Sequence, residues 1–167
     1  GTTDRDYLQM AARKSDRADL LEGLHFTPAG GASQIPLSVM LTQATSELPI
    51  VVLRDHDDEG RKARDNLVKN VGLIPKRIVS VSEVIRDNHD AEIEDAWPAP
   101  LLEEFVEQFG EDSVLSEKKN LGKRWHIGLN KVGKELIVDW LDENASADDC
   151  GTLVKLLIQL RERGGIE

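Results

Sequence analysis

Cysteine is nearly absent: Cys150 is the only one in 167 residues. That excludes an internal disulfide framework and a cysteine-rich zinc site, and it fits a reducing cytoplasm, the expected location. Histidine is sparse as well, and His25, His56, His89 and His126 fall at no metal-ligand spacing. No apolar run approaches the roughly 20 residues that cross a bilayer, and no signal-peptide pattern opens the sequence, so no membrane partner is expected. Internal repeats and low-complexity segments are lacking too.

What is present is an ordinary globular composition with an acidic balance. Hydrophobic residues make up 40% of the chain, which argues against wholesale disorder, and the net charge is -10. Such a charge opposes a surface that coats nucleic acid generally. It does not oppose an enzyme that handles phosphodiesters through metals, because those sites are built from carboxylates. The charge is also uneven. From Ser116 to Lys134, "SEKKNLGKRWHIGLNKVGK" carries six Lys/Arg against Glu117 alone. A solvated basic face and a track for a nucleic-acid backbone are both open readings of it.

Along the chain, "TTDRDYLQMAARK" predicts a helix, with Tyr7, Leu8 and Ala11 at helical spacing. Leu24 to Thr27 predicts a short strand running into a glycine turn. "SQIPLSVMLTQATS" predicts a helix that tolerates Pro36 only in its first turn. "LPIVVL" is a fully apolar strand of the kind covered on both faces of a parallel sheet. A helix follows from Asp57, and "KRIVSVSEV" gives another strand. This alternation predicts an α/β fold with a parallel sheet over residues 1–91, in which 24–27, 49–54 and 77–81 are neighbours and the 49–54 strand is central. Residues 92–167 read as a helical subdomain.

The sharpest feature is Asp55-His56-Asp57-Asp58-Glu59-Gly60, an acidic cluster directly after a buried strand. Carboxylates in such a place are costly unless something positive sits among them. A calcium-binding loop fails, because its twelfth position is Asn66 and a strand rather than a helix enters it. Acids at a helix N-terminus complement the helix dipole, which accounts for one or two of them but not for an aspartate at the strand's tip. A metal-dependent phosphoryl-transfer site is the third reading. Carboxyl ends of strands line the ligand crevice of an open parallel sheet, and Gly60 lets the backbone pass close by as the helix begins. On this reading alone, removing Asp55 or Asp57 should relieve repulsion and leave the metal-free fold as stable or more so.

Strand, D-x-D-x-x-G, helix resembles the Toprim fold. A Toprim site also takes a glutamate from the end of its first strand. Glu22 in "LLEG" looks like that residue, but a helix, a strand and a helix should separate it from the Asp55 strand and only the last two are there. "GTTDRDYLQMAA" fits better as the continuation of E-G-x-x-D-x-x-Y-L, which would put the first strand and its glutamate just upstream of Gly1. Glu22 is then expected away from the Asp55/Asp57 pocket, and Asp4 beside it.

Within Toprim proteins the chain resembles the OLD family (overcoming lysogenisation defect), in which the nuclease follows an ABC-type ATPase in one polypeptide. "FTPAGGASQI", "EIEDAWPAPLLEEF" and "KELIVDWL" carry that resemblance, more loosely than the D-x-D region. It implies a DNA endonuclease with a two-metal Mg²⁺ or Mn²⁺ site. Asp4, Asp55 and Asp57 would be metal ligands, joined by Glu94 and Asp95 at the second metal, with Glu83 a further candidate. Lys134 would stabilise charge developing on the phosphate, with Lys131 as the alternative. Lys118, Lys119, Lys123, Arg124 and Lys131 would hold DNA. The upstream ATPase would be a partner in the same polypeptide and the route to homo-oligomers.

Rival functions follow from the same residues. Tyr7 is the only tyrosine, and its helical setting makes it core rather than a topoisomerase nucleophile. A primase would share the metal cluster but needs nucleotide- and template-binding segments. A catalytically silent regulatory or assembly domain would keep the fold and bind no metal.

Overall fold

A computed structural model describes residues 1–166. The order of helices and strands is α1 (Thr2–Lys14), α2 (Ile35–Thr45), β1 (Val52–Arg54), α3 (Asp58–Asn66), β2 (Ile78–Ser80), α4 (Val81–Ile85), α5 (Ala99–Phe109), α6 (Glu111–Val114), β3 (Leu115–Asn120), β4 (Trp125–Leu129), α7 (Lys131–Asn144) and α8 (Gly151–Gly164). Short 3-10 turns lie between several of them, and α3 runs on into a π turn over Leu67–Val71. Gly72 stops that turn in the left-handed region, at φ 76°, where a Cβ would be strained.

The fold is mixed α/β, with one parallel pair and one antiparallel pair of strands. β1 and β2 run parallel, with Val52 opposite Ile78 and Arg54 opposite Ser80. Two of the three expected strands are therefore neighbours as the sequence implied. The third is not a strand: residues 24–27 are irregular. Nor is β1 central, since among the described residues it pairs with β2 alone. Without a partner strand, Leu24–Thr27 has no ladder to complete, and its apolar residues Leu24 and Phe26 pack against the core as a loop.

The second correction falls in the part expected to be helical. Residues 115–129 form an antiparallel hairpin, β3 with β4, irregular at Leu115/Glu117. β4 is buried from His126 to Leu129, whereas β3 is mostly exposed, so Lys118, Lys119, Lys123 and Arg124 of the basic run lie on the outer strand and turn of this hairpin, while Lys131 and Lys134 begin α7.

One large buried cluster binds the two ends of the chain. Tyr7, Leu8, Met10 and Ala11 of α1 pack with Leu102 and Phe105 of α5, Ile137 and Leu141 of α7, and Leu153, Leu156 and Leu157 of α8. The boundary expected near residue 91 runs through this shared core. A smaller cluster of Val39, Val52, Leu67, Leu73 and Ile78 lies on the other side of the parallel pair. β1 is thus covered on both faces, as its unbroken apolar run requires.

Candidate acidic centre

The exit from β1 is built as the sequence suggests. Asp57 caps α3: its Oδ1 accepts from the Gly60 backbone N–H at 2.6 Å. Gly60 is buried where the helix doubles back over the strand end, and a Cβ there would stand 2.2 Å from the Asp55 carbonyl oxygen. Only glycine allows that approach. His56 then pairs through its backbone with Ala91, which brings the segment after residue 91 alongside.

That segment delivers the remaining acids. A 3-10 turn over Ile93–Ala96 places Glu94 inside the protein, 2% exposed. Asp55 Oδ1 accepts from the Ile93 backbone N–H at 3.1 Å, locking the strand tip to this turn. Lys134, in the first turn of α7, reaches in from the other side. Its Nζ lies 3.0 Å from Glu92 Oε2 and 3.6 Å from Glu94 Oε1.

The electrostatics show how tightly the charges gather. Burial, then the neighbouring charges of Asp4, Glu94 and Glu92, raises the Asp55 carboxyl to about 7 against the opposing pull of Lys134. Glu94 is raised to about 7 as well, mainly by burial. Lys134 is held firmly protonated: burial works against its charge, but Glu94, Glu92 and Asp55 outweigh it. Two polar atoms in this neighbourhood, Glu94 Oε2 and the Tyr7 hydroxyl, are buried without a hydrogen-bond partner among the described residues. The Tyr7 hydroxyl is pushed well up by burial first and then by Glu94, Asp4 and Glu92, so it belongs to the same centre. Its ring packs edge-on against Trp97, with centroids 5.7 Å apart.

Asp4, Asp55, Glu94 and Lys134 are therefore brought together, and Glu92 joins them. The Asp4 carboxylate also takes a hydrogen bond from the Gly1 nitrogen. Glu22 is exposed and engages Arg161 through its backbone carbonyl, with no part in the centre. Asp57 gives one oxygen to the α3 cap, leaving Oδ2 for anything else. Asp95 turns the other way: it is 1% exposed and sits 2.9 Å from Arg124 Nη1 and 2.8 Å from His126 Nδ1. Its hydrogen bond raises the His126 pKa. Glu83 is spent on Arg163, Gln159 and the Ser80 backbone. Among the described residues, no three carboxylate, imidazole or thiol groups converge closely enough to hold a metal ion as they stand.

The basic candidates also divide. Arg124 is 15% exposed at its side chain and tied to Asp87 and Asp95, so it braces the hairpin from within. Lys118 pairs with Glu103 at 3.2 Å and lies over the Trp125 ring; Lys119 pairs with Glu117. Lys123 is exposed in the turn of the hairpin. Lys131 is 92% exposed, and with Lys134 it lines an open groove of about 650 Å³ between α7 and the first turn of α1.

Sequence reasoning missed Glu92, because "EIED" offered Glu94 and Asp95 as an adjacent pair. In the turn, Glu92 and Glu94 both face Lys134, and Asp95 faces His126. An i, i+2 pair in extended backbone entering a 3-10 turn was the available signal. Compared with protein-family models, with curated proteins and with solved structures, the chain matches none.

Proposed function

We propose that this chain is the nuclease portion of an OLD-type ATPase-nuclease polypeptide, with a Toprim-like centre that hydrolyses DNA phosphodiesters. The observation that carries the reading is the gathering of Asp55, at the tip of β1, with Asp4, Glu92 and Glu94 around Lys134. Four carboxylates and one lysine leave excess negative charge in a largely buried place. Among the described residues, Glu94 Oε2 there has no donor. Such a donor set suits a hard divalent cation. Asp4, Asp55 and Glu94 would hold Mg²⁺ or Mn²⁺, which would supply Lewis-acid activation of water and charge stabilisation, with Asp57 Oδ2 left over from the α3 cap as a further oxygen on the same strand exit. Lys134 supplies a fixed positive charge beside Glu92 and Glu94, and its side chain also lines the groove that Lys131 borders. Lys131 adds a second on the same side.

A silent assembly or regulatory domain is favoured by a different observation: the Lys134 ammonium already compensates Glu92 and Glu94, and among the described residues no three donors converge. Plasmid cleavage by the protein in its full polypeptide separates the two. Cleavage with Mg²⁺ or Mn²⁺ should be lost in Asp55→Ala. Lys134→Ala should retain metal binding and slow cutting on the order of a hundredfold, as removal of a single charge-stabilising donor does. Undiminished cleavage by Asp55→Ala would end the nuclease assignment.

A further inference from the structure

The turn over Ile93–Ala96 is anchored on two sides. On one, His56 pairs with Ala91 and Asp55 Oδ1 takes the Ile93 N–H. On the other stands Asp95, whose side chain is fully enclosed beside the β3–β4 hairpin. A carboxylate so placed is stable only with donors around it. Three surround it among the described residues. The Glu92 backbone N–H reaches Oδ2 at 2.9 Å, and His126 Nδ1 lies 2.8 Å from the same oxygen. Arg124 Nη1 stands 2.9 Å from Oδ1, close enough for an ion pair but off line for a hydrogen bond. The first contact connects the two halves of the turn: an oxygen held from the hairpin holds the backbone of Glu92, which pairs with Lys134.

The hairpin itself is tied at both ends of this arrangement. His126 is buried on β4, and its Nε2 lies 3.1 Å from Glu117 Oε1 on β3. Carboxylate oxygens only accept, so both ring nitrogens donate and the imidazole bridges the outer strand to the turn. Gly128, opposite Glu117 in the ladder, leaves room for this: a Cβ there would stand 3.0 Å from Glu117 Cγ and 3.5 Å from His126 Nε2. Arg124 also donates from Nε to Asp87 Oδ2 at 2.8 Å and from Nη2 to the Asp90 carbonyl at 2.7 Å. The hairpin thus grips both the start and the end of the segment that delivers Glu92 and Glu94.

We infer that His126 and Arg124 are positioning residues for the acidic centre: through Asp95 they fix the turn in the register that sets Glu92 and Glu94 against Lys134. Partners that orient ligands from behind in this way cost on the order of 10- to 100-fold in metal affinity when removed. The effect on cation binding rests on the reading of the acidic centre proposed above; the effect on Lys134 does not.

Two substitutions of His126 separate its two contacts. In His126→Asn the amide nitrogen takes the place of Nδ1, keeping the link to Asp95 and dropping Glu117. In His126→Gln it takes the place of Nε2, keeping Glu117 and dropping Asp95. Both lose the ring, so their urea midpoints should fall by similar amounts. In EDTA, well below the unfolding transition, the Nζ resonance of Lys134 in NMR should stay at its wild-type position in His126→Asn and shift in His126→Gln. Mn²⁺ affinity by electron paramagnetic resonance should follow the same order, nearly unchanged in His126→Asn and weakened on the order of tenfold in His126→Gln. Arg124→Gln keeps a long polar side chain but loses the ion pair; it should also shift the Lys134 signal, and it decides the matter should His126→Gln not fold. A wild type that binds no Mn²⁺ ends the cation reading, and the metal-free Lys134 signal still tests the brace. A Lys134 resonance unmoved in His126→Gln and Arg124→Gln, or moved equally in His126→Asn and His126→Gln, makes the brace merely structural and overturns the inference.

Discussion

Replacing Glu94 by glutamine should stabilise the metal-free protein, and do so increasingly as pH rises. Glu94 is 2% exposed, its Oε2 has no partner among the described residues, and its carboxyl is raised from 4.5 to about 7 even with Lys134 nearby. Between those values the native state holds a proton that the unfolded chain has released. Stability therefore falls as pH rises through the window, since it falls wherever the folded state binds more protons. Each pKa unit corresponds to ~1.36 kcal/mol, so the charged carboxylate costs about 3 kcal/mol at pH 8 and almost nothing at pH 4. Glutamine has nearly the shape of the protonated acid and escapes that penalty. Urea unfolding of both proteins in EDTA at the two pH values measures the difference directly. Coincident curves at pH 4 and a higher midpoint for the variant at pH 8 are expected. Adding Mn²⁺ should then stabilise the wild type and leave the variant nearly unchanged. A variant less stable than the wild type at both pH values would refute the reasoning, because it would mean that Lys134 more than compensates the buried carboxylate.

Two other substitutions probe the strand exit. Removing Asp57 was expected from sequence only to relieve repulsion; its hydrogen bond to the Gly60 N–H reverses the sign. Asp57→Ala should cost about 1 kcal/mol in thermal or urea unfolding, and Asp57→Ser, which can also cap, should recover most of it. If Asp57→Ser also binds Mn²⁺ as well as the wild type, Asp57 acts as a cap and not as a ligand. Gly60→Ala would place a Cβ 2.2 Å from the Asp55 carbonyl, so it should unfold or markedly destabilise the protein. Circular dichroism on heating checks this, and a wild-type transition would show that the helix does not pass so close.

The parts legible in the sequence were those fixed by local chemistry. The apolar run that leads through Arg54 to Asp55 marked a strand, of which Val52–Arg54 forms, and Asp57 with Gly60 marked the helix that follows. Asp4 was placed through the resemblance to E-G-x-x-D-x-x-Y-L rather than by local chemistry, and its charge acts on the Asp55 carboxyl. What was lost depends on partners distant in sequence. Leu24–Thr27 has strand-like residues but no strand beside it, and pairing rather than propensity decides β structure. The hairpin at 115–129 was hidden because β3 is exposed and lysine-rich, so its period of two carries no apolar signal; only "WHIGL" on β4 shows it. Asp95 looked like the twin of Glu94, and nothing local reveals that Arg124 and His126 arrive to claim it.

Electron paramagnetic resonance of Mn²⁺ bears most directly on whether the acidic centre is a cation site. Titrated into the wild type near pH 8, Mn²⁺ should lose its free six-line signal as it binds, and the loss should be abolished in Asp55→Asn and strongly reduced in Glu94→Gln. Wild-type binding that persists unchanged in both variants, or no binding at all, would contradict it and leave Lys134 as the centre's permanent cation.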